Sequence, residues 1–393
     1  MKFIDFFAGI GGFRRGMELA GHECVGFCEI DKYAVMSYTA MHLITEEQRE
    51  YLATLDLRSR QKEILKDEYR NGEWYASDIS RVDARDLPHA DCWCFGFPCQ
   101  DISVAGKQVG FEGNRSSLFF RVMYLLGQLP SEERPSYLFI ENVKNLLSVN
   151  GGWDFTRLLV ELDRGGYDAE WQTLDSKNFG VPQHRERVFI VGRLRERGRS
   201  EVLPVPEPNG ENCVHQIGMD GTSRRKNHNQ YRLYGISGLS PTLNKMDGGG
   251  REPHIPIPVV CLDPKYKCLE GGMREYEEET PTLTSRDYKD PLQVIVATDN
   301  HAKENHGGVY AKVADGTTVY AIWYAKQQRY VAIRKLTPKE CFRLQGWSDD
   351  YFHKAELMNS NSQLYKQAGN GVTVNVIRAV AEKMKGESKY DLG

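Results

Sequence analysis

One cysteine of this chain stands where it could act as a nucleophile. Cys99 follows Pro98, just after the apolar run Cys92–Phe95, which has the composition of a buried strand. Ligands of open α/β sheets bind outside the carboxyl ends of the strands, and a thiol placed there can react rather than pack. A lone cysteine can equally be a small buried hydrophobe. The sequence around Cys99 and the other candidate site residues must therefore be used to distinguish these two interpretations.

The amino-terminal stretch predicts a strand, a glycine turn and a helix. Phe3–Phe7 is apolar except for Asp5, Gly9–Gly12 breaks the pattern, and apolar residues then recur at helical spacing as far as Ala20. Such a turn brings the backbone close to a ligand and points a helix amino terminus at it. The glycine spacing differs from the dinucleotide fingerprint, and a glycine turn alone is a weak indication of a cofactor site.

Acidic residues after the next two predicted strands indicate the kind of ligand. Glu29 ends the predicted strand Cys24–Cys28, 18 residues after Gly11, where an acid can accept hydrogen bonds from ribose hydroxyls. Because the fingerprint for a pyrophosphate is missing, a ribose-bearing ligand such as S-adenosylmethionine fits. Asp78, after a short predicted strand at Tyr75, could face the adenine amino group, although by itself it is typical of a turn.

Three further polar residues are expected at the same edge of the sheet. Glu141 follows the predicted strand Tyr137–Ile140, where a partly desolvated carboxylate could share a proton with a ligand. Arg185 and Arg187 alternate into another predicted strand, so their side chains share one face. The alternatives are that Glu141 caps the next helix and that the arginines are merely solvated.

Two further segments have less defined roles: residues 104–117 predict a loop, and residues 45–71 predict helices that are peripheral to the core. Residues 104–117 are rich in glycine and lack a sustained period, which predicts a loop, either a lid over the site or an idle surface loop. Thr45–Gln48 is a capping box, and residues 45–71 predict one or two charged surface helices with a thin apolar stripe. A partner-docking arm is the alternative role for these helices.

Composition excludes several classes of protein. The chain has 393 residues, enough for about two domains, with 40% hydrophobic residues and a net charge of −3. No apolar run approaches the roughly 20 residues of a membrane span, and no signal peptide is apparent, which predicts a cytoplasmic protein. The nine cysteines are scattered without the spacing of a zinc site or a disulfide framework, so we expect no metal.

Residues 194–330 have the pattern of a separate, β-rich module. The stretch 222–251 is basic, although the protein as a whole is nearly neutral. This local positive charge predicts contacts with nucleic acid. A weak repeat at an offset of 40 residues, Ser240–Leu243 against Thr280–Leu283, predicts two matched hairpins that could carry side chains to base edges. A shared fold unit without a nucleic-acid role is the alternative. Thr337 then predicts the cap of a helix.

In their order along the chain, these blocks resemble the cytosine-5 DNA methyltransferase family. The resemblance rests on FIDFFAGIGG, GFPCQDIS, QHRER, RKLTPKECFRLQGW and QAGNGVTVNV, together with Glu29, Asp78-Ile79 and Glu141-Asn142-Val143. They cover most of residues 1–193 and 330–381. Any single block would be unspecific, whereas the complete ordered set is highly specific.

The resemblance implies a fold and a division into domains. It implies an α/β catalytic domain with a doubly wound, mostly parallel sheet of the S-adenosylmethionine-dependent methyltransferase type, formed by residues 1–193 and completed by residues 331–393. Residues 194–330 would form a smaller, β-rich target recognition domain, with double-stranded DNA held between the two. We expect a monomer without metal or membrane partner, in the cytoplasm of a bacterial or phage-infected cell.

The resemblance also implies roles for single residues. Cys99 matches the nucleophile, Glu141 the acid that engages ring nitrogen 3 of cytosine, and Arg185 and Arg187 the arginines near the base carbonyl. The implied contacts with S-adenosylmethionine, whose product is S-adenosylhomocysteine, are Phe7, Gly9, Gly11, Glu29, Ile30, Asp78, Ile79, Gly96, Pro98, Leu118, Asn370 and Gly371. The expected DNA contacts are Gln100, Ser103, Arg115, Arg224, Arg225, Lys226 and Arg232. Gly371 departs from the family pattern, which often has serine there, so a backbone contact would survive and a hydroxyl contact would not.

The implied function is sequence-specific methylation of DNA at carbon 5 of a flipped-out cytosine, through a covalent adduct with Cys99, as in restriction-modification systems. Two other classes stay open. A transfer RNA cytosine-5 methyltransferase would share the core, but such relatives resemble it with a much smaller recognition region. An inactive DNA-binding protein is disfavoured, because the nucleophile, acid and cofactor positions are all filled.

Overall fold

The computed structural model describes residues 1–97, 117–181, 183–197, 201–207 and 337–384, together with short strands between residues 216 and 334. Within these ranges, no helix is long and apolar enough to cross a membrane. Several predicted site residues lie outside the described residues, namely Pro98, Cys99, Gln100, Ser103, Arg115, Arg224, Arg225 and Lys226. Arg232 is described only as part of the backbone of a short strand.

A seven-stranded sheet organises the first part of the chain. The strands up to residue 194 are β1 (Lys2–Phe6), β2 (Glu23–Cys28), β3 (Trp74–Ala76), β4 (Cys92–Phe95), β5 (Tyr137–Val143), β6 (Tyr167–Asp175), β7 (Gln183–His184) and β8 (Glu186–Leu194). Their order in the sheet is β3-β2-β1-β4-β5-β8-β6, with β7 outside it. β1 to β5 run parallel, and β8 is antiparallel to both of its neighbours. The predicted doubly wound, mostly parallel sheet is confirmed.

The alternation of side chains along β4 shows why this sheet is buried on both faces. Trp93 and Phe95 pack in one core cluster, whereas Cys92 and Cys94 pack in the other. None of the four is more than 1% exposed. Successive side chains of a strand point to opposite faces, so a strand that is covered on both faces has a continuous apolar sequence. The strand predicted at Cys92–Phe95 is therefore confirmed at the same residues.

Helices cover both faces of the sheet. They are α1 (Gly12–Leu19), α2 (Lys32–His42), α3 (Glu46–Thr54), α4 (Leu57–Glu63), α5 (Ser117–Gln128), α6 (Trp153–Arg164), α7 (Pro338–Leu344), α8 (Asp349–Glu356), α9 (Asn361–Asn370) and α10 (Val374–Lys383). α1 and α10 pack over Phe3 and Phe139, and α5 and α6 cover Trp93 and Leu138 on the other face. Thr337 caps α7 in a capping box, as its sequence predicted.

The segment 45–71 contains a buried seam, which corrects the expectation that it is peripheral to the core. The predicted capping box of Thr45 and Gln48 is confirmed at the start of α3. Leu52 and Ile64, however, are both 0% exposed. They pack in a cluster with Met36, Ala40, Ile44, Tyr69 and Met358. A thin apolar stripe suffices here because α2 and the chain after α8 supply most of the apolar partners.

The chain between residues 216 and 334 contributes shorter strands. They are β9 (Gln216–Met219), β10 (Arg232–Tyr234), β11 (Ser240–Pro241), β12 (Val294–Ala297), β13 (Lys303–Asn305), β14 (Gly308–Lys312), β15 (Thr318–Tyr324) and β16 (Arg329–Arg334). β12 to β16 form an antiparallel sheet, and β11 pairs with β7 beside Arg185. The division of the chain at residues 193 and 330 stays a prediction.

Candidate active site

A cavity with a volume of about 520 Å³ lies at the carboxyl edge of the parallel strands. Of the residues expected to bind the cofactor, those that line it are Phe7, Gly9, Glu29, Ile30, Asp78, Ile79, Gly96, Leu118 and Asn370. Glu141, Arg185 and Arg187 line the same cavity. The structure thus brings the expected acid and arginines to the expected cofactor residues. Gly11 and Gly371 are not among the lining residues.

The glycine turn after β1 forms one wall of this cavity. Gly9 and Gly11 have left-handed backbone conformations, with φ of 56° and 85°. A Cβ atom on Gly11 would lie 2.5 Å from His42 Nε2, so only glycine fits. His42 Nε2 lies 3.0 Å from the Ile10 carbonyl, and burial holds the pKa of His42 well below its usual range, so the neutral ring donates this bond. Gly11 therefore packs against His42, and the cofactor contact that the family resemblance implied for it stays a prediction.

Glu29 is fixed at the end of β2 by two backbone amides. The Gly9 N–H donates to Oε2 at 2.8 Å, and the Asp31 N–H donates to Oε1 at 2.7 Å. Burial raises the pKa of Glu29 above its usual value. Each carboxylate oxygen keeps a second acceptor site. The group can therefore accept hydrogen bonds from two neighbouring hydroxyls, which is what a ribose presents.

The end of β3 supplies a second acceptor and an apolar surface. Asp78 Oδ1 accepts hydrogen bonds from the Ser80 hydroxyl at 2.7 Å and the Ser80 N–H at 2.9 Å, which lowers the pKa of Asp78. Ile79 is 3% exposed, whereas Ile30, which also lines the cavity, is 75% exposed. An ionised acceptor and an open apolar side chain on the walls of one cavity suit a flat ring that carries an amino group, such as adenine.

Glu141 and Arg187 form an ion pair inside the cavity, with 3.1 Å between Arg187 Nε and Glu141 Oε1. β5 runs on to Val143, past the predicted strand end at Ile140, so Glu141 lies within the strand, opposite Phe189 of β8. Only 9% of Glu141 is exposed. Because a charge-assisted contact to an arginine has a defined direction, the pair holds this carboxylate in one position.

Arg185 connects the cavity to the carboxyl-terminal part of the chain. Its guanidinium donates to the Gly371 carbonyl at 2.7 Å and to the Gly369 carbonyl at 3.4 Å. Its backbone N–H donates to Asp175 Oδ1 at 2.9 Å. Arg185 is 4% exposed, and it lines the cavity together with Arg187. Arg185, which the family resemblance places near the base carbonyl, therefore also stabilises the part of the cavity wall that contains Asn370.

Comparison with protein families decides the class of protein to which this site belongs. A family model described as C-5 cytosine-specific DNA methylase matches residues 1–386. The chain belongs to this family. It is a DNA cytosine-5 methyltransferase, as its sequence blocks implied.

Individual relatives and solved structures agree with this assignment. The type II methyltransferase M.NlaX of Neisseria lactamica is 29% identical, over 98% of this chain and 96% of the relative. The orphan methyltransferase M.SPRI of Bacillus phage SPR is 26% identical, over 98% of this chain and 97% of the relative. The crystal structure of the S. pombe Dnmt2 methyltransferase matches with a TM-score of 0.53 at 16% identity, over 97% of both chains. At that identity the structural match shows the fold alone, and the fold is that of a methyltransferase.

In this methyltransferase, the strand that leads to the expected nucleophile is anchored at its end. Gly96 and Phe97 line the cavity, and Cys99 follows two residues later, outside the described residues. The Asn142 side chain donates from Nδ2 to the Phe97 carbonyl at 3.1 Å. Its Oδ1 accepts the Val143 N–H at 2.9 Å. Asn142 is 2% exposed, so this buried amide fixes the point from which the chain departs towards Cys99.

Sequence reasoning missed several residues that line the methyltransferase cavity, among them Asp31, Lys366 and Gln367. Asp31 lies only two residues after Glu29, and this spacing could have suggested it. Lys366 precedes Asn370 by one helical turn, so the two share a face of α9. Among the described residues, no group of His, Cys, Asp and Glu could hold a metal ion.

Proposed function

We propose that this methyltransferase moves a methyl group from S-adenosylmethionine to carbon 5 of a cytosine flipped out of double-stranded DNA, through a covalent adduct with Cys99. The observation that carries the proposal is the shared cavity. It joins the acceptors Glu29 and Asp78 to the ion pair of Glu141 and Arg187. It is also lined by the end of the strand that leads to Cys99.

The residues of the cavity fit S-adenosylmethionine. Its volume of about 520 Å³ lies within the range usual for pockets that bind small molecules. Glu29 would accept hydrogen bonds from the ribose hydroxyls, and Asp78 from the adenine amino group. The exposed Ile30 side chain would lie against the adenine ring. When bound there, S-adenosylmethionine supplies an electrophilic methyl group.

The proposed reaction begins when the Cys99 thiolate adds to carbon 6 of the cytosine. The new carbon–sulfur bond pushes an electron pair into the ring, which makes carbon 5 nucleophilic. When the base is bound, Glu141 takes up a proton from solvent and donates it in a hydrogen bond to ring nitrogen 3, which stabilises the negative charge that builds in the ring. Arg187, 3.1 Å from Glu141, keeps that carboxyl group in place, and Arg185 supports the ring carbonyl.

The second half of the reaction releases the enzyme. After methylation, a base removes the proton from carbon 5, and the electron pair of that bond restores the ring double bond. The carbon–sulfur bond then breaks, and its electron pair returns to Cys99 as a thiolate. None of these steps can occur within a stacked duplex, so the target base has to leave the helix at a cost of a few kcal/mol. We assign residues 104–117 as the segment that clamps the flipped base.

We further propose that residues 194–330 recognise the target sequence. The basic stretch 222–251 would supply phosphate contacts and base readers, including Arg224, Arg225 and Lys226. The relatives M.NlaX and M.SPRI come from a bacterium and a bacteriophage. We propose that this protein works in the cytoplasm of a bacterial or phage-infected cell, as a monomer.

The covalent step can be tested with fluorine at carbon 5, which blocks departure of the proton that precedes release of the thiolate. The methylated site is first located by bisulfite sequencing of DNA from cells that express the protein. A duplex with 5-fluorocytosine at that site, incubated with protein and S-adenosylmethionine, should give an adduct that survives denaturing electrophoresis. Omission of the cofactor, Cys99→Ala and Cys99→Ser should each greatly reduce the adduct.

The same experiment distinguishes the other function classes. An adduct with fluorinated transfer RNA and none with DNA would replace the proposal by an RNA methyltransferase. Methylation at carbon 5 by Cys99→Ala at the parental rate would exclude the covalent mechanism. Absence of methylation and of adducts on both nucleic acids would leave a DNA-binding protein. Glu141→Gln should still bind S-adenosylhomocysteine while losing most of the transfer rate.

A further inference from the structure

An ion pair between distant parts of the chain lies in the lining of the cavity. Lys366 Nζ of α9 lies 2.6 Å from Asp31 Oδ2, although 335 residues separate the two in sequence. Both residues line the cavity, and their side chains are 26% and 28% exposed. The wall that contains Gly369 and Asn370 therefore meets the wall that contains Glu29 at this contact.

The ion pair connects directly to the acid proposed to hold the ribose. The Asp31 N–H donates to Glu29 Oε1 at 2.7 Å, and Asp31 Oδ1 accepts the Tyr33 N–H at 3.0 Å, capping α2. Asp31 is thus held at its backbone by Glu29 and at its side chain by Lys366. Movement of the Asp31 side chain would move the N–H that orients the Glu29 carboxylate.

We propose that Lys366 is a positioning residue for the ribose end of the cofactor: through Asp31 it holds Glu29 in the orientation that accepts the ribose hydroxyls. This inference rests on the proposed function of the cavity as the S-adenosylmethionine site. It assigns Lys366 a role in retention of the cofactor and none in the chemistry of the methyl transfer.

The charges around Glu29 support this role. Burial raises the pKa of Glu29, the Gly9 and Asp31 amides lower it, and the Asp31 carboxylate raises it again. Partial burial also raises the pKa of Asp31, but the Lys366 ammonium and the amides at the start of α2 outweigh this, so the pKa of Asp31 is lowered. Lys366 therefore offsets the negative charge of Asp31, the carboxylate closest to Glu29 along the chain.

Removal of the ammonium would change the response of the site to pH. With Asp31 uncompensated, the pKa of Glu29 should rise further, because two neighbouring negative charges disfavour each other. The Glu29 carboxylate accepts ribose hydroxyls when ionised, so affinity falls as the pH falls through its pKa. In a variant without Lys366 this fall should begin at a higher pH. The other titratable groups near Glu29 stay unchanged in that variant, namely Asp5, Cys28, Tyr75 and Asp78.

Other contacts keep α9 in place when Lys366 is changed. Gln367 Nε2 donates to the Tyr33 carbonyl at 3.0 Å, and Gln367 Oε1 accepts from the Ser37 hydroxyl at 2.9 Å. Asn359 Nδ2, before α9, donates to the same carbonyl at 2.9 Å. The substitution Lys366→Met keeps an unbranched side chain, one atom shorter than that of lysine, and leaves these bonds intact. It therefore removes the charge and leaves the helix where it is.

The test measures binding of S-adenosylhomocysteine to the whole protein by titration calorimetry between pH 5 and 9. Lys366→Met should bind about fivefold more weakly at neutral pH, the effect of losing one partly exposed ion pair. The loss should grow towards lower pH, and Lys366→Arg should restore most of the affinity. Lys354→Met is the matched control, because Lys354 makes a Lys–Asp pair of 2.7 Å with Asp350 on α8, outside the cavity lining.

Asp31→Asn provides a second route to the same answer. An asparagine keeps the cap of α2, but it loses the charge that attracts Lys366, so the backbone N–H that reaches Glu29 is no longer held through the ion pair. At neutral pH it should weaken binding about as much as Lys366→Met, and the double variant should bind no more weakly than either single variant. Because Asp31→Asn also removes the negative charge that raises the pKa of Glu29, its loss of affinity should not grow towards lower pH. With a 2′,3′-dideoxyribose analogue of S-adenosylhomocysteine, Lys366→Met and the parent should bind alike.

The outcomes separate the inference from the proposal beneath it. If the parent protein fails to bind S-adenosylhomocysteine, the proposed function of the cavity is wrong. If the parent binds and Lys366→Met binds equally well at every pH, the positioning role of Lys366 is wrong. An equal loss for the ribose and dideoxyribose ligands would likewise overturn it, because Lys366 would then act on the wall in general. If Lys366→Met fails to fold, Asp31→Asn and Lys366→Arg decide the question.

Discussion

Two close neighbours, Arg187 and Gly96, restrict the position of the Glu141 carboxylate. Arg187 Nε lies 3.1 Å from Oε1 on one side. On the other side, a Cβ atom on Gly96 would lie 3.1 Å from Oε2, closer than most real contacts of this kind. Glycine at position 96 thus allows the carboxylate to sit against the end of β4, next to the chain that leads to Cys99.

Gly96→Ala should therefore slow methyl transfer. The added methyl group would displace the Glu141 carboxylate by a few tenths of an ångström, and small displacements of a catalytic group can cost about tenfold in rate. We expect kcat on DNA to fall by about this factor. Gly127→Ala on α5 is the control, because nothing lies within 4 Å of its would-be Cβ. That variant should keep its activity and gain up to about 1 kcal/mol of stability. A Gly96→Ala enzyme with unchanged kcat would show that Glu141 tolerates this displacement.

Polar residues that follow an apolar run were predictable from sequence as candidates for the site, whereas contacts across the chain were not. Glu29, Asp78 and Glu141 each follow an apolar run, and the cavity brings all three together. The pairing of Asp31 with Lys366 joins positions 335 residues apart, and local pattern carries no information on such a contact. The chemistry near Cys99 was inferred from order and family resemblance, and it stays a prediction because Cys99 lies outside the described residues.

At the scale of elements, the helices α3 and α4 show how a weak sequence pattern can hide a buried seam. Their apolar positions are few, which indicated surface helices that are peripheral to the core. The structure instead buries Leu52 and Ile64 completely, against Met358 from the far end of the chain. The apolar residues of a helix predict the width of its own apolar face. They do not reveal which apolar residues another segment packs against that face.

Leu52→Ala should consequently destabilise the protein by about 3 kcal/mol, the usual cost of emptying a buried leucine site. Urea unfolding followed by fluorescence measures this loss. Leu57→Ala is the matched control on α4, since Leu57 is 46% exposed and its truncation should change stability by less than about 0.5 kcal/mol. Equal midpoints for the two variants would restore the peripheral interpretation of residues 45–71.

At the scale of the molecule, the first and last described segments form one body. α10 packs against α1, and a Cβ atom on Gly16 would lie 2.5 Å from Ile377. His22 Nε2 lies 3.0 Å from the Ala381 carbonyl, so side-chain contacts also link the two segments. Sequence pattern predicted a capped helix at Thr337, and the family resemblance implied a return to the catalytic domain. Neither could indicate that this return would cover the helix that begins at the glycine turn.

This arrangement predicts that a destabilising substitution in α10 lowers the stability of all the described elements that share its core. Ile377 is 0% exposed between α10 and α1, so Ile377→Ala should lower the free energy of unfolding by about 3 kcal/mol. The neighbouring Arg378 pairs with Glu382 on the surface, where 53% and 47% of the two side chains are exposed. Arg378→Ala is therefore the control, and it should change the free energy of unfolding by less than about 0.5 kcal/mol. Because α1 and α10 share one core cluster with β1 and β5, the loss should move a single transition, seen alike by fluorescence and circular dichroism. A separate early transition in Ile377→Ala, with the main midpoint unmoved, would instead make the carboxyl-terminal helices an independent unit.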